Sequence, residues 1–422
     1  MQIADVPGSG DVDVAIIGAG VAGLAAARHL AERRPALRVV VLEAAARTGG
    51  RAHTVNQVEI DGPLDLGCGW LHGAEHNPWL PIAERLGFQI DRTPPPWDVQ
   101  YQDLGFPPEA QRAYERASTA FYKRLSEAQR DPTDHSLATL LRADDPWNGL
   151  LNAVNTYVSG AELDEASIHD TAHYRVHGSD WRITGGYGHT VARFGDGLPV
   201  TLSTPITAID HGRAGKVWLE TPRGTIRARA AIVTVSTNVL ASERIRFIPT
   251  LPEKITAAQG LPLGLANKVF LHLATPDELP KDAHLIGNVR AARTGAYHLR
   301  PFGWPVIEGY FGGALARELE AEGEAAAAAF AINELAGLLG TGFRRRVRLL
   351  TCTQWGKAEC IRGSYSYARP GASGQRAVLA RPVNDRLFFA GEATSPDAFT
   401  TARGAYETGL RAGDEALLYL DD

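Results

Sequence analysis

Residues 14–51 constrain the fold more than any other part of the chain. They read VAIIGAGVAGLAAARHLAERRPALRVVVLEAAARTGGR. Residues 14–17 are a short apolar run of the kind buried on both faces of a parallel sheet. Gly18, Gly20 and Gly23 follow in the spacing GxGxxG. The first glycine permits a tight turn, the second lets backbone approach a pyrophosphate, and the third lets a helix pack closely on the strand. Residues 22–33 are alanine-rich and predict a helix closed off before Pro35. The free N–H groups at its start would face phosphate. A second apolar run, residues 39–42, delivers Glu43 about 20 residues beyond the glycines, where a carboxylate can hold both hydroxyls of an adenosine ribose. Strand, glycines, helix, strand and acid together predict a dinucleotide site. NAD and FAD both satisfy that pattern. Arg47, Gly49, Gly50 and Arg51 favour FAD, because glycines between two arginines suit backbone lying along a diphosphate and ribityl chain.

A chain of 422 residues is long enough for two domains. The formal net charge of −5 lacks the basic footprint of a nucleic-acid binder. Three cysteines, Cys68, Cys352 and Cys360, make no disulfide framework, so a reducing, cytoplasmic compartment is expected. The first residues carry no apolar signal core, and no run approaches the ~18 apolar residues of a membrane span.

Further along, residues 65–73 (DLGCGWLHG) mix glycine, aromatic and polar residues, as backbone beside a ligand often does. Residues 81–157 turn helical, and residues 93–96 (TPPP) predict a rigid turn at a first crossing into a second domain. His169, His173 and His177 recur every four residues and would share one helix face, as metal ligands can. Gly178 and the β-leaning residues 174–176 argue against a helix, so they are read as unrelated histidines and no metal is expected. Residues 185–188 (GGYG) are a second close-approach loop, followed by a helix from about His189. Residues 200–209, 216–220 and 225–235 predict strands. Alternation begins after Lys268, which on pattern alone is a solvated strand end. Residues 314–339 predict one amphipathic helix, and residues 349–355 a strand ending in Trp355. Residues 387–394 (LFFAGEAT) predict a buried strand and turn before a last helix. Small residues in the first turns of that helix would let its positive end stabilise charge on a reduced flavin.

These residues together resemble the flavin-dependent amine oxidase family, which includes monoamine, polyamine and spermine oxidases, lysine-specific histone demethylases and L-amino-acid oxidases. The matches run in family order: Gly18, Gly20, Gly23, Glu43, RxGGR at 47–51, DLGxxWxHG at 65–73, GGYG at 185–188, Lys268, GSYS at 363–366, FAGEAT at 389–394, and GAxxxGxRA at 404–412. The resemblance implies an α/β fold with a Rossmann-like FAD domain and an inserted substrate domain of mixed sheet plus helices. It implies FAD segments at 1–85, 186–260 and 376–422, and substrate segments at 86–185 and 261–375. The cofactor contacts it implies are Gly18, Gly20, Gly23, Glu43, Arg47, Gly49, Gly50, Arg51, Gly67, Trp70, Ile206, Trp355, Gly391, Glu392, Thr401 and Ala402.

Lys268 matches the lysine that holds a water at flavin N5. Tyr365 matches one wall of an aromatic cage, and His72 a histidine facing the catalytic pocket of polyamine oxidases. Where monoamine oxidases have a second cage tyrosine this chain has Thr401, and where they carry a flavin-bound cysteine it has Ser364. Non-covalent FAD and an active-site pattern nearer the polyamine and spermine oxidases follow. The expected reaction oxidises a C–N bond of a polyamine or another secondary or primary amine to an imine. The imine then yields aldehyde plus amine, with O2 reduced to H2O2. The alternatives are an L-amino-acid oxidase, which needs an arginine for the substrate carboxylate, and a flavoprotein desaturase or dehydrogenase using another acceptor. No nucleic-acid partner is expected, and a homodimer is compatible.

Overall fold

The computed structural model describes residues 10–421. The strand Gly10–Ile17 forms as the apolar run requires, and it lies between Val39–Leu42 and Gly224–Val233, both parallel to it. Its residues Val14, Ala15 and Ile16 are fully buried, which is the burial a central parallel strand demands. The full sheet has eight strands. In order they are Arg246–Ile248, Ala208–Asp210, Val217–Thr221, Gly224–Val233, Gly10–Ile17, Val39–Leu42 and Val200–Thr201, with Leu387–Phe389 pairing beside Gly224–Val233. The first helix, Val21–Arg33, packs against the last, Ala402–Asp421. Small residues make that approach close: a side chain at Gly409 would run into the backbone oxygen of Ala22.

A second sheet of five strands runs Ala283–Ile286, Ala296–Leu299, Val306–Gly312, Ala266–Leu273, Val347–Cys352. All four of its pairings are antiparallel, so the mixture of directions expected here is confined to the first sheet. Short connections such as the one between Ala283–Ile286 and Ala296–Leu299 need no crossover helix, and they return the chain antiparallel. Helices Pro108–Ala128 and Asn148–Ser159 and the pair Gly313–Glu322 and Glu324–Leu339 accompany this sheet.

Four elements depart from the sequence reading. The expected single helix 314–339 is two helices, because Gly323 takes a φ of 101° that ends one before the next begins. The expected strand 200–209 is two short strands on opposite sides of the first sheet. Between them the chain crosses the sheet's end through Thr204, Pro205 and Ile206, and a proline there has no N–H for a ladder. A short helix does form at Ile168–His173, where the Ser167 side chain accepts from the Asp170 N–H, but His177 lies beyond it. Lys268 is not at a strand end. Its strand begins at Ala266, and Lys268 is 6% exposed.

Candidate active site

One long cleft runs from the glycine turn to the five-stranded sheet. At one end it is walled by Gly18, Gly20, Val21, Glu43, Arg47, Gly49 and Gly50. Helix Val21–Arg33 opens there with no side-chain cap, so its first N–H groups are free for a ligand. Gly20 bridges to Gly49, and Gly49 N donates to Ala19 O at 2.8 Å, which stitches the two glycine loops into one cradle. No atom lies within 4 Å of where a side chain at Gly20 would begin, so that space is open to the cleft. Gly23 does not line the cleft. It lies under the turn, where a side chain would overlap Gly18 O. Glu43, 8% exposed, accepts from Ala19 N at 2.6 Å and Ala45 N at 2.7 Å, which fixes its carboxylate at the cleft wall. Arg47 donates to Thr48 O at 3.0 Å, and burial pushes its guanidinium down despite the charge of Glu43. A desolvated cation beside a row of free N–H groups suits a diphosphate.

Arg51 ties the distant pieces together. Its Nη1 donates to Ser364 O at 2.7 Å and to Glu392 Oε1 at 2.9 Å. Glu392 also accepts from Ser366 Oγ at 2.6 Å and Thr400 N at 2.8 Å. Burial pushes the Glu392 carboxyl up, but Arg51, Ser366 and Arg376 together hold it below its usual range, so it stays charged. Arg376 grips Asp170 with two bonds of 2.6 and 2.7 Å, which continues the network into Ile168–His173. Gly67, Ile206, Trp355, Gly391, Thr401 and Ala402 also wall the cleft.

At the other end stand Lys268, Tyr310 and Tyr365. Lys268 N is held by Thr353 Oγ1 at 2.8 Å, and its Nζ donates to Asp65 O at 2.8 Å and lies 2.8 Å from Glu308 Oε1. Asp65 in turn accepts from Thr54 Oγ1 and from the N–H groups of Tyr187 (3.1 Å) and Gly188 (3.3 Å), which joins the GGYG loop to the lysine. The hydroxyls of Tyr310 and Tyr365 hydrogen-bond to each other. Burial raises the titration of both phenols, so both stay neutral. Burial likewise pushes the Cys68 thiol up to about 12, with Asp65 adding, so this cleft-lining sulfur is a protonated thiol. Ser364 Oγ donates to Ala266 O and accepts from Ala266 N, at 2.8 and 2.9 Å, and so pins the Tyr365 segment to the lysine strand. Thr401 donates to Ala398 O at 2.6 Å and accepts from Gly404 N at 2.9 Å. Its hydroxyl is spent on starting the last helix, and what it offers the cleft is small size. Gly404 is packed against Ala398 O; the faces of that helix turned to the cleft are Ala402 and Ala405.

Trp70, expected at the cofactor, and His72, expected to face the catalytic pocket, are not among the residues that wall the cleft. Trp70 lines the small cavity that Lys268, Glu308 and His298 also border, with its ring 4.8 Å from Trp97 and 5.1 Å from the Arg182 guanidinium. His72 is half-exposed, and its Nδ1 lies 2.9 Å from Asp180 Oδ1. The sequence reading missed Tyr310 and Glu308. Their strand, Val306–Gly312, gives no sign in sequence that it pairs beside Lys268. Among the described residues no cluster of His, Cys, Asp or Glu could hold a metal, and no helix is long and apolar enough to cross a membrane.

A mixed sheet with a parallel centre and a glycine cradle, an acid at the next strand end and a second, antiparallel sheet at the far end thus frame one cleft. Residues 21–417 match the family of flavin containing amine oxidoreductases. The chain is 31% identical over 436 residues to Polyamine oxidase 2 of Arabidopsis thaliana, covering 95% of this chain and 87% of that one. It is also 31% identical to Lysine-specific histone demethylase 1 homolog 2 of Oryza sativa subsp. japonica, where it spans 58% of the relative's length. Among solved structures, cyclohexylamine oxidase from Brevibacterium oxydans IH-35A superposes with a TM-score of 0.80 at 22% identity, over 98% of this chain and all of that one. The chain belongs to the flavin-containing amine oxidoreductase family and is an FAD-dependent amine oxidase.

Proposed function

We propose that this enzyme oxidises a C–N bond of a polyamine, or of another secondary or primary amine, and passes the electrons to O2 to give H2O2. The observation that carries this reading is Lys268, buried at the end of the cradle between Asp65, Glu308 and the Tyr310–Tyr365 pair. When bound, FAD supplies a two-electron acceptor for the hydride of the amine's α-carbon. The protein residues do the rest. The tyrosine rings make a dry, apolar wall that favours the neutral, reactive form of the amine. Lys268 keeps an N–H free to hold a water or O2 beside the flavin. Glu43, Arg47, the paired glycines, Gly67, Ile206, Trp355, Glu392 and Ala402 hold the cofactor without a covalent bond, since serine stands at position 364. The resemblance to Polyamine oxidase 2 supports a polyamine. We place the FAD-binding part at 1–85, 186–260 and 376–422, the substrate part in the remainder, and the enzyme in the cytoplasm.

An L-amino-acid substrate fits less well. Three arginines wall the cleft: Arg51 is committed to Glu392 and Ser364, and Arg47 and Arg244 sit at the nucleotide end with Glu43 and Cys360. The test is anaerobic mixing of the holoenzyme with spermine, spermidine, acetylated polyamines, aryl monoamines and L-amino acids, followed by loss of the oxidised-flavin band. Bleaching by amino acids alone would sink the reading. For Lys268, K268M is expected to slow reoxidation by O2 by about a hundredfold. Unchanged reduction and reoxidation would remove the lysine from the mechanism.

A further inference from the structure

Lys268 stands on an inner strand of the antiparallel sheet, next to the edge strand. Its strand Ala266–Leu273 pairs with Val306–Gly312 on one side and Val347–Cys352 on the other. The register sets Lys268 opposite Tyr310 and Phe270 opposite Glu308, so Glu308 shares a face with Lys268 and Tyr310. On the next strand His298 stands directly opposite Glu308. The side chains of Lys268 and Glu308 are 8% and 20% exposed. A buried ammonium is costly unless it is paired and hydrogen-bonded. Here burial pushes the lysine down, but Glu308 outweighs it by charge and hydrogen bond, with Asp65 and Tyr365 adding, and the group titrates above its usual range.

An ammonium has three N–H donors. One goes to Asp65 O and one faces Glu308 Oε1, both at 2.8 Å. Among the described residues no acceptor takes the third. Lys268 is also a partition. On one side it borders the cleft. On the other it borders a cavity of about 40 Å3 shared with Glu308, Asp65, Gly69 and His298. Glu308 does not line the cleft; it approaches the lysine from behind.

We infer that Glu308 is a positioning residue for amine oxidation: its ion pair with Lys268, set against the Asp65 carbonyl, turns the lysine's third N–H into the cleft. This rests on the role given to Lys268 above. A lysine has four rotatable side-chain bonds, and a single backbone acceptor does not fix all three donors. The carboxylate supplies the second anchor, and it acts only through the lysine.

The experiment is a double-mutant cycle on FAD-loaded wild type, K268M, E308L and K268M/E308L, with E308Q as the conservative variant. Bound flavin content and melting temperature show that each variant folds. The first readout is the rate at which O2 restores the oxidised band after photoreduction, which needs no amine. E308L is expected to slow it roughly tenfold, the scale of one charge-assisted hydrogen bond, with E308Q in between because its carbonyl still accepts. In the K268M background E308L should add nothing. The second readout is the midpoint potential of the bound flavin by dye equilibration. E308Q should raise it, because an uncompensated ammonium then faces the reduced flavin, and K268M/E308Q should match K268M. A slow K268M beside an E308L and E308Q that behave as wild type overturns the role of Glu308 alone. So does an E308L effect that persists without the lysine. An unaltered K268M overturns the lysine's role instead, and is told apart because the first variant of the cycle shows it. If E308L does not fold, E308Q closes the same cycle.

Discussion

The two ends of the cleft are built on different principles. At the nucleotide end the chemistry is in the backbone: free N–H groups, close approaches and one carboxylate, nearly all from residues 18–50, which are local in sequence. At the other end it is in side chains gathered from far apart. Lys268 reaches Asp65 across 203 positions, Arg51 reaches Glu392 across 341, and Tyr310 meets Tyr365 across 55. Under the first end Gly23 admits no side chain, because Gly18 O occupies that space. At the second, each buried charge and polar group needs its partner. Local backbone geometry can recur as a motif, whereas a long-range cluster depends on how two sheets face each other.

The sharpest way to break this comparison is at Gly23. A side chain there overlaps Gly18 O and comes 3.1 Å from Gly18 C, both rigid backbone. G23V is expected to cost more than about 3 kcal/mol and to leave protein without flavin, read as a lower melting temperature and no flavin absorbance. A variant that kept FAD and stability would show that the first helix can move away from the turn.

The five-stranded sheet should answer to pH instead. His284 stands in the same cross-strand row as His298 and Glu308. It is 6% exposed, and burial, with His298 adding, pushes its imidazole down to about 3. In the unfolded chain it titrates near 6.5. Between those values the unfolded chain binds the extra proton, so the contribution is complete above about pH 6.5 and fades as pH falls towards 3. Wild type should lose ~2 kcal/mol through this group between about pH 6.5 and pH 5, and H284L should lose correspondingly less. Parallel melting curves for the two proteins across that range would show the imidazole to be solvated.

The smallest effect is expected at Tyr310. Y310F keeps the ring but leaves the Tyr365 hydroxyl without its partner. A loss of about 1 kcal/mol, or some fivefold in kcat/KM for the best amine, is expected. A far larger loss would mean that the Tyr310 hydroxyl touches the substrate itself.

Legibility in the sequence follows the same division. The strand Gly10–Ile17, the helix Val21–Arg33, the strand Val39–Leu42 and Glu43 at its end are all where the pattern places them, because each depends on neighbours within a few residues. Lys268 was legible only through a family pattern. Its own surroundings read as a strand end, since burial of a lysine becomes visible only when Glu308 and Asp65 arrive. Trp70 and His72 sit in a motif whose Leu66, Gly67 and Cys68 wall the cleft, yet their own side chains pack against Trp97, Arg182 and Asp180. A motif fixes the path of a loop; packing decides which way each side chain turns. The glycines of the last helix show the same limit. Gly404 and Gly409 serve close packing, and it is Ala402 and Ala405 that face the cleft.

The sequence by itself determined the strand–glycine–helix turn, the acid at the end of the next strand, the two arginines that flank the glycine pair, and through its ordered motifs the flavin amine oxidase family. These are properties of short range, set by glycine sterics, helix periodicity and strand burial. Only the tertiary structure decided that Glu308 and Tyr310 stand beside Lys268, that Arg51 closes on Glu392, and that Thr401 spends its hydroxyl on a helix start. Those pairings follow from strand register and from the need to satisfy every buried charge and donor, and that need cannot be read until distant segments are brought into one low-dielectric interior.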